Sequence, residues 1–111
     1  MKTKRAKATD ISQKTKLEVW ERDGHRCIIC GSKMAMPNAH YISRAHGGLG
    51  IPENIVTLCT INSDGRRGCH DRYDNGSRED REEIGEKIEE YLSGIYPDWD
   101  REKLIYDKWR Y

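Results

Sequence analysis

The chain has 111 residues, of which 35% are hydrophobic and 35% are charged, and it contains no Phe. This composition excludes a large apolar core and predicts one compact domain that needs help from a metal ion or disulfides. No apolar stretch follows the basic N-terminus and no run is long enough to cross a membrane, so we expect a cytoplasmic protein without a membrane partner.

The net charge of +1 is unevenly distributed along the chain. Residues 1–72 contain 13 Lys/Arg and 7 Asp/Glu, a charge of +6, whereas residues 73–111 contain 7 and 12, a charge of −5. A basic segment is typical of proteins that bind polyanions such as nucleic acid. Because four of the positive charges lie within the first seven residues, a solvated basic tail is the alternative explanation.

The N-terminal residues predict a tail followed by one helix. Residues 1–9 are basic and aperiodic, which is typical of disorder. A helix with Asp10 or Ser12 as its N-cap extends to about Arg22, where Asp23-Gly24 ends it. Its core-facing side chains are expected to be Ile11, Leu17 and either Val19 or Trp20.

The middle of the chain predicts short elements joined by loops. Residues 38–43 alternate like a strand and lead to a glycine-rich loop at residues 46–50. Residues 52–59 predict a short helix that contains Ile55, Val56 and Leu58 and ends near Cys59. A polar loop over residues 60–68 precedes a helical turn at residues 69–73.

A long amphipathic helix is predicted near the C-terminus. Ser77 and Asp80 fit a capping box at its start, and Pro97 breaks it. A last short helix is expected over residues 100–109. The apolar face of the long helix comprises Ile84, Ile88, Tyr91, Leu92 and Ile95. The predicted organisation is a tail (1–9), a core (10–76) and a helical extension packed on the core (77–111).

Four cysteines offer the donors of a tetrahedral zinc site. Cys27 and Cys30 form a Cys-x2-Cys pair, and Cys59 and Cys69 form a second pair whose intervening loop must bulge outward. In a reducing compartment such spacing favours a metal over disulfides. Four thiolates leave no open coordination position, so the predicted Zn²⁺ is structural. Four buried cysteines without a metal are the alternative.

The histidines complete a recognisable order of residues. The segments Ala39-His40-Tyr41-Ile42-Ser43-Arg44-x2-Gly47-Gly48, Glu53-Asn54-Ile55-Val56-x-Leu58-Cys59 and Cys69-His70 resemble the zinc-containing form of the HNH endonuclease signature. The resemblance covers residues 17–76. It implies an α+β fold with a ββα-metal (His-Me finger) core, DNA as the partner and hydrolysis of phosphodiester bonds. Small stand-alone members of the family resemble nucleases encoded by bacteriophages or prophages.

The resemblance also implies a role for each central residue. His40 would be the general base, Asn54 a brace for the loop, and His70 a ligand of a catalytic divalent ion. A neutral imidazole suits the first role because its pKa lies near the operating pH. Mixed nitrogen and oxygen ligands are compatible with Mg²⁺, Mn²⁺, Ni²⁺ or Zn²⁺.

Ala39 departs from the signature, because many family members have an Asp or His ligand at this position. His40 could itself bind the metal, which would leave the base role to water or His46. Alternatively His46, Asp71 or Asp74 could complete the site. A third alternative is a non-catalytic zinc module that binds nucleic acid without cutting it.

Four arginines near the predicted site could bind phosphates, with ordinary surface charge as the alternative. They are Arg44, Arg66, Arg67 and Arg72. The sequence leaves the oligomeric state open, although the amphipathic C-terminal segment is compatible with a dimer.

Overall fold

A computed structural model describes residues 2–107 as an α+β fold with a two-stranded antiparallel sheet. The α+β class is therefore confirmed. None of the helices in these residues is long and apolar enough to cross a membrane. The helices are α1 (Lys4–Thr9), α2 (Gln13–Arg22), α3 (Cys69–Asn75) and α4 (Arg78–Ile95), the strands are β1 (Ala35–His40) and β2 (Ile55–Cys59), and 3-10 turns occur at Arg44–His46 and Arg101–Leu104.

Strand β2 occupies the place of a predicted helix. The prediction of a helix over residues 52–59 is wrong, because Ile55–Cys59 pair with β1 in the register Ala35↔Cys59 and His40↔Ile55. All of β2 is buried, and both α2 and α3 pack against it. A short run rich in β-branched residues, apolar without alternation, is typical of a strand covered on both faces.

Strand β1 begins earlier than the predicted residues 38–43, and its register shifts between Met36 and Ala39. Pro37 lies within this interval and has no N–H to donate, so a bulge accommodates it. Beyond the bulge, Ala39 is buried in the core and His40 ends the strand half-buried. The sheet thus delivers the His40 ring to the molecular surface.

Helix α2 begins after Ser12, whose Oγ accepts a hydrogen bond from the Thr15 N–H at 3.1 Å. Ser12 is therefore the N-cap, one of the two predicted candidates. Val19 is fully buried, whereas Leu17 is 56% exposed, so the prediction that Leu17 faces the core is wrong. Residues two positions apart lie about 200° apart around a helix, so Leu17 and Val19 cannot share one face.

Asp23 ends α2 and joins three elements through its buried carboxylate. It accepts hydrogen bonds from the Thr57 N–H at 2.8 Å, the Tyr91 hydroxyl at 2.6 Å and the Arg22 guanidinium at 2.7 Å. A buried charge is tolerated when it is paired and fully hydrogen-bonded. The carboxylate therefore holds α2, β2 and α4 together.

The predicted disorder of residues 1–9 is wrong for Lys4–Thr9, which form α1. Thr3 caps this helix, and Thr9 is buried. A six-residue helix does not form alone in water, so tertiary contacts must hold it. Gly50 donates a hydrogen bond to the Ala8 carbonyl at 2.9 Å, and a Cβ on Gly50 would lie 1.9 Å from the Asp10 oxygen.

Helix α4 begins at the predicted cap, where the Ser77 Oγ accepts a hydrogen bond from the Asp80 N–H at 3.1 Å. Its buried side chains are Ile84, Ile88 and Leu92. The helix predicted over residues 100–109 is a 3-10 turn over Arg101–Leu104, and Trp109 lies outside the described residues. Backbone hydrogen bonds join this end to the glycine-rich loop, including Leu49 N–H to Leu104 O at 2.8 Å.

Candidate metal centre and histidine cleft

The four cysteines meet although they lie far apart in sequence. Cys27 and Cys30 lie in the turn after α2, Cys59 ends β2 and Cys69 begins α3. Their Sγ atoms all lie within 4.8 Å of one another, so this cysteine cluster could hold a metal ion. None of the four forms a disulfide, and the Cys30 and Cys59 sulfurs are 3.5 Å apart, well beyond the roughly 2 Å of an S–S bond.

The surroundings of the cysteine cluster suit thiolate ligands. The Ile29 N–H lies 3.4 Å from the Cys27 sulfur, and the Cys69 N–H lies 3.1 Å from the Cys59 sulfur. The Asn62 amide also donates to the Cys69 sulfur, at 3.6 Å. Such N–H donors stabilise negative sulfur and orient it around a bound ion. The donor set therefore fits the predicted structural zinc.

Close packing of the sulfurs separates their pKa values. A hydrogen bond from the Cys69 thiol lowers the pKa of Cys27 to about 4, with help from backbone N–H groups. The same bond raises the pKa of Cys69 far above its usual range, because Cys69 is the donor. Burial raises the pKa of Cys59 to about 11. Four sulfurs this close repel further negative charge, which a divalent cation would neutralise.

Asn54 is fully buried and crosses the loop that follows β1. Its Oδ1 accepts a hydrogen bond from the Ile42 N–H at 2.8 Å, and its Nδ2 donates to the carbonyls of Ile42 at 3.1 Å and Leu49 at 2.8 Å. The backbone of Asn54 accepts a further bond from the Tyr41 N–H at 2.8 Å. These bonds hold both ends of residues 41–49 on the start of β2.

The ring of His40 is held by one backbone contact, with its Nε2 2.9 Å from the Thr9 carbonyl oxygen. Because a carbonyl can only accept, Nε2 carries the proton and Nδ1 is left as a proton acceptor. Burial lowers the pKa of His40, and the charges of Arg44 and His70 lower it further, whereas the Thr9 contact and Asp74 oppose these effects. His40 therefore has His70 and Asp74 as electrostatic neighbours.

His70 follows Cys69 in α3, and its Nε2 lies 3.1 Å from the Asp74 carboxylate one turn later. Asp74 also lines a cleft of about 520 Å³ together with His40 and His46. We call this opening the histidine cleft. Its remaining lining includes Ser43, Tyr73, Arg81 and Arg101. The structure thus gathers two imidazoles, one carboxylate and two guanidinium groups around an open space.

The structure places the three side chains predicted to substitute for a ligand at position 39 in different surroundings. Ala39 itself is 1% exposed and packed in the core. His46 lines the cleft, with its Nδ1 2.6 Å from the Ser43 hydroxyl. Asp71 is engaged by Arg67 and, at 2.9 Å, by the Asn75 amide, and it does not line the histidine cleft. Asp74 alone among these candidates both contacts His70 and lines the cleft.

The four predicted phosphate-binding arginines divide between two places. Arg44 lies beside His40 and pairs with Asp10. Arg66, Arg67 and Arg72 instead line a cleft of about 400 Å³ with Asn62, Asp64 and Asp80, which we call the arginine cleft. There, carboxylates pair with each arginine, namely Asp64 with Arg66 at 3.9 Å, Asp71 with Arg67, and Asp80 with Arg72 at 2.8 Å.

Sequence reasoning missed several residues around His40. The Thr9 carbonyl and Lys2 belong to residues 1–9, which the sequence predicts to be disordered. The signal that could have revealed α1 is Thr3, a typical N-cap residue directly before Lys4. Arg81 and Arg101 belong to residues 77–111, for which only packing was predicted. No local pattern marks these arginines, because only the folded chain brings them to the cleft.

Comparison of this chain with protein-family models, curated proteins and solved structures finds no match.

Proposed function

We propose that this protein is a metal-dependent endonuclease of the HNH type, with a ββα-metal core formed by β1, β2 and α3. The observation that carries the proposal is the His40 ring, held through Nε2 at an open cleft that Asp74, the partner of His70, also lines. The partner is DNA, whose phosphodiester bond is hydrolysed.

His40 acts as the general base in this proposal. With the Nε2 proton committed to Thr9, Nδ1 takes a proton from water as the water oxygen attacks phosphorus. The bond from phosphorus to the 3′ oxygen breaks as the new phosphorus–oxygen bond forms, and the departing 3′ oxygen takes a proton from solvent. The lowered pKa of His40 supports this role because it keeps the ring neutral at physiological pH.

His70 and Asp74 would hold the catalytic ion. When bound, a divalent ion neutralises charge on the phosphate and on the leaving oxygen. Asp74 supplies the carboxylate that the usual position, occupied here by buried Ala39, cannot provide. The mixed nitrogen and oxygen pair remains compatible with Mg²⁺, Mn²⁺, Ni²⁺ or Zn²⁺. Arg81 and Arg101 line the same cleft and can bind phosphate oxygens.

The cysteine cluster has a structural role in this proposal. Four thiolates around one Zn²⁺ form a closed site with no position for substrate. Since Cys69 and His70 are adjacent in α3, an ion in the cluster would position the first turn of the helix that presents His70. Asn54 positions the loop between His40 and β2 through its buried hydrogen bonds.

Nicking of supercoiled plasmid tests the nuclease. We expect cutting with at least one of the four divalent ions and none after EDTA treatment, provided circular dichroism shows that the fold survives. His40→Ala should lower the rate by about 10²–10⁴-fold, the usual contribution of a general base. The matched control is His25→Asn, because His25 is exposed and its φ of 62° suits Asn. Wild-type cutting by His40→Ala would refute the assignment.

A non-catalytic zinc module that binds nucleic acid is the second candidate. The specific observation in its favour is the burial of Ala39, which leaves the usual ligand position empty of donors. A gel shift with DNA but no cleavage with any of the four ions would favour this module over the nuclease.

A further inference from the structure

A second cleft opens beside His40, formed largely by the N-terminal segment. It has a volume of about 370 Å³ and is lined by Lys2, Asp10, Lys16, Arg44 and His40 itself, among others. We call it the basic cleft. His40 also lines the histidine cleft, so this residue borders both openings.

The basic cleft has a surplus of positive charge. Asp10 is its one carboxylate and pairs with both Lys2 and Arg44. Lys16 has no carboxylate partner anywhere in residues 2–107. Three cations therefore face one anion. In the arginine cleft, by contrast, each of the three guanidinium groups has its own carboxylate, and the charges cancel.

Helix α1 adds to this surplus and is docked beside the cleft. The Arg5 guanidinium donates hydrogen bonds to the carbonyls of Ala45 at 3.0 Å and Arg44 at 3.4 Å, which attach α1 to the turn at Arg44–His46. Across the part of the chain that the structure describes, three further exposed lysines of α1 and α2 have no carboxylate partner. They are Lys4, Lys7 and Lys14.

We propose that the basic cleft binds the sugar–phosphate backbone of DNA and leads it to His40. A phosphate chain needs unneutralised cations, which this cleft supplies and the arginine cleft does not. The contacts are independent of base sequence, because they reach phosphates only. The inference rests on the proposed function, and it assigns phosphate binding to Lys2, which lies in the segment predicted to be a disordered tail, and to Lys16 of α2.

Fluorescence anisotropy with a labelled DNA duplex in EDTA tests the proposal without any cleavage, once circular dichroism and the melting temperature show that each protein is folded. Each lost phosphate contact reduces the slope of log Kd against log salt by about 0.9. The double variant Lys2→Ala/Lys16→Ala should therefore lower the slope by about 1.8, which corresponds to a roughly 60-fold loss of affinity at about 0.1 M salt. Its matched control, Arg66→Ala/Arg67→Ala, should bind like the wild type.

A charge reversal provides a second comparison that does not depend on the double variant. Lys16→Glu should weaken binding more than Lys87→Glu, because Lys87 lies on α4 and already pairs with Glu83. The proposal would be overturned if Lys2→Ala/Lys16→Ala and Lys16→Glu gave the same slope of log Kd against log salt as the wild type. It would also be overturned if only Arg66→Ala/Arg67→Ala lost binding. Binding to phosphatidylserine vesicles without binding to DNA would also overturn it.

The two proposals can fail separately. If plasmid stays intact with every ion but the lysine variants lose affinity for DNA, the nuclease proposal is refuted and the role of the basic cleft stands. If the wild type nicks plasmid and the lysine variants bind DNA as well as the wild type does, the role of the basic cleft is refuted and the nuclease proposal stands.

Discussion

The cysteine cluster and the histidine cleft differ in both burial and donor type. Cys59 pairs with Ala35 at one end of the sheet, whereas His40 pairs with Ile55 at the other end. The cluster offers soft sulfur donors, three of them buried, and the cleft offers imidazole and carboxylate groups open to solvent. The comparison teaches that one small sheet can separate a buried cluster of sulfur donors from an open cleft that offers nitrogen and oxygen donors.

Helix α3 connects the two regions. Its first residue, Cys69, is fully buried in the cluster, and the next residue, His70, has a side chain that is 26% exposed. His70 in turn contacts Asp74, which lines the histidine cleft, so this short helix links the cluster to the cleft. Disturbing the cluster should affect the cleft, whereas disturbing the cleft should leave the cluster intact.

Removal of a cysteine should have the largest effect. Cys27→Ser should abolish the native fold, because a structural zinc site contributes about 10–16 kcal/mol at neutral pH and small domains are stable by only about 5–15 kcal/mol. Circular dichroism and zinc analysis by mass spectrometry measure the outcome. His25→Asn, nearby on the surface, serves as the control. A Cys27→Ser protein with native spectra and no bound zinc would show that the fold does not depend on a metal ion in the cluster.

Removal of the Asn54 side chain should have an intermediate effect. Asn54→Ala leaves the Ile42 N–H and the Leu49 carbonyl buried without partners, which should cost roughly 2–4 kcal/mol. Urea denaturation measures this free energy. Asn75→Ala is the matched control, since its exposed bond to Asp71 should contribute less than about 0.5 kcal/mol. Equal losses in both variants would remove the positioning role from Asn54.

The titration of His40 should give the smallest effect. Burial lowers its pKa below the ordinary 6.5, so the native state favours the neutral ring. Its contribution to stability is complete above pH 6.5 and is lost as the pH falls through the lowered folded value. In the proposed mechanism the neutral ring is the proton acceptor, so the acid limb of the nicking rate should have its midpoint in the same range.

A charge variant sharpens this titration. Arg44→Ala should raise the midpoint, because the Arg44 charge helps to lower the pKa of His40. Imidazole signals in NMR spectra follow the same ionisation without any catalysis. A wild-type midpoint at or above 6.5 would mean that the ring is more solvated than the structure indicates.

The sequence alone was sufficient for features that depend on neighbouring residues. Ser77 caps α4 as predicted, and Ser12, one of the two predicted candidates, caps α2, because a capping hydroxyl reaches an N–H only a few residues ahead. The apolar face of α4 follows from helical spacing. The sulfur donors followed from their spacing as well, although only the fold brings Cys59 and Cys69 to Cys27 and Cys30.

Tertiary structure alone decided the features that depend on distant partners. Ile55–Cys59 form a strand because β1 and two helices cover them, and Lys4–Thr9 form a helix because Gly50 and the turn at Arg44–His46 hold them. The sequence also could not indicate which positive side chains are paired with carboxylates and which are not. The charges of Arg67 and Arg72 are neutralised by Asp71 and Asp80, whereas the charge of Lys16 has no carboxylate partner among residues 2–107. Electrostatic pairing depends on distances in space that the order of residues does not specify.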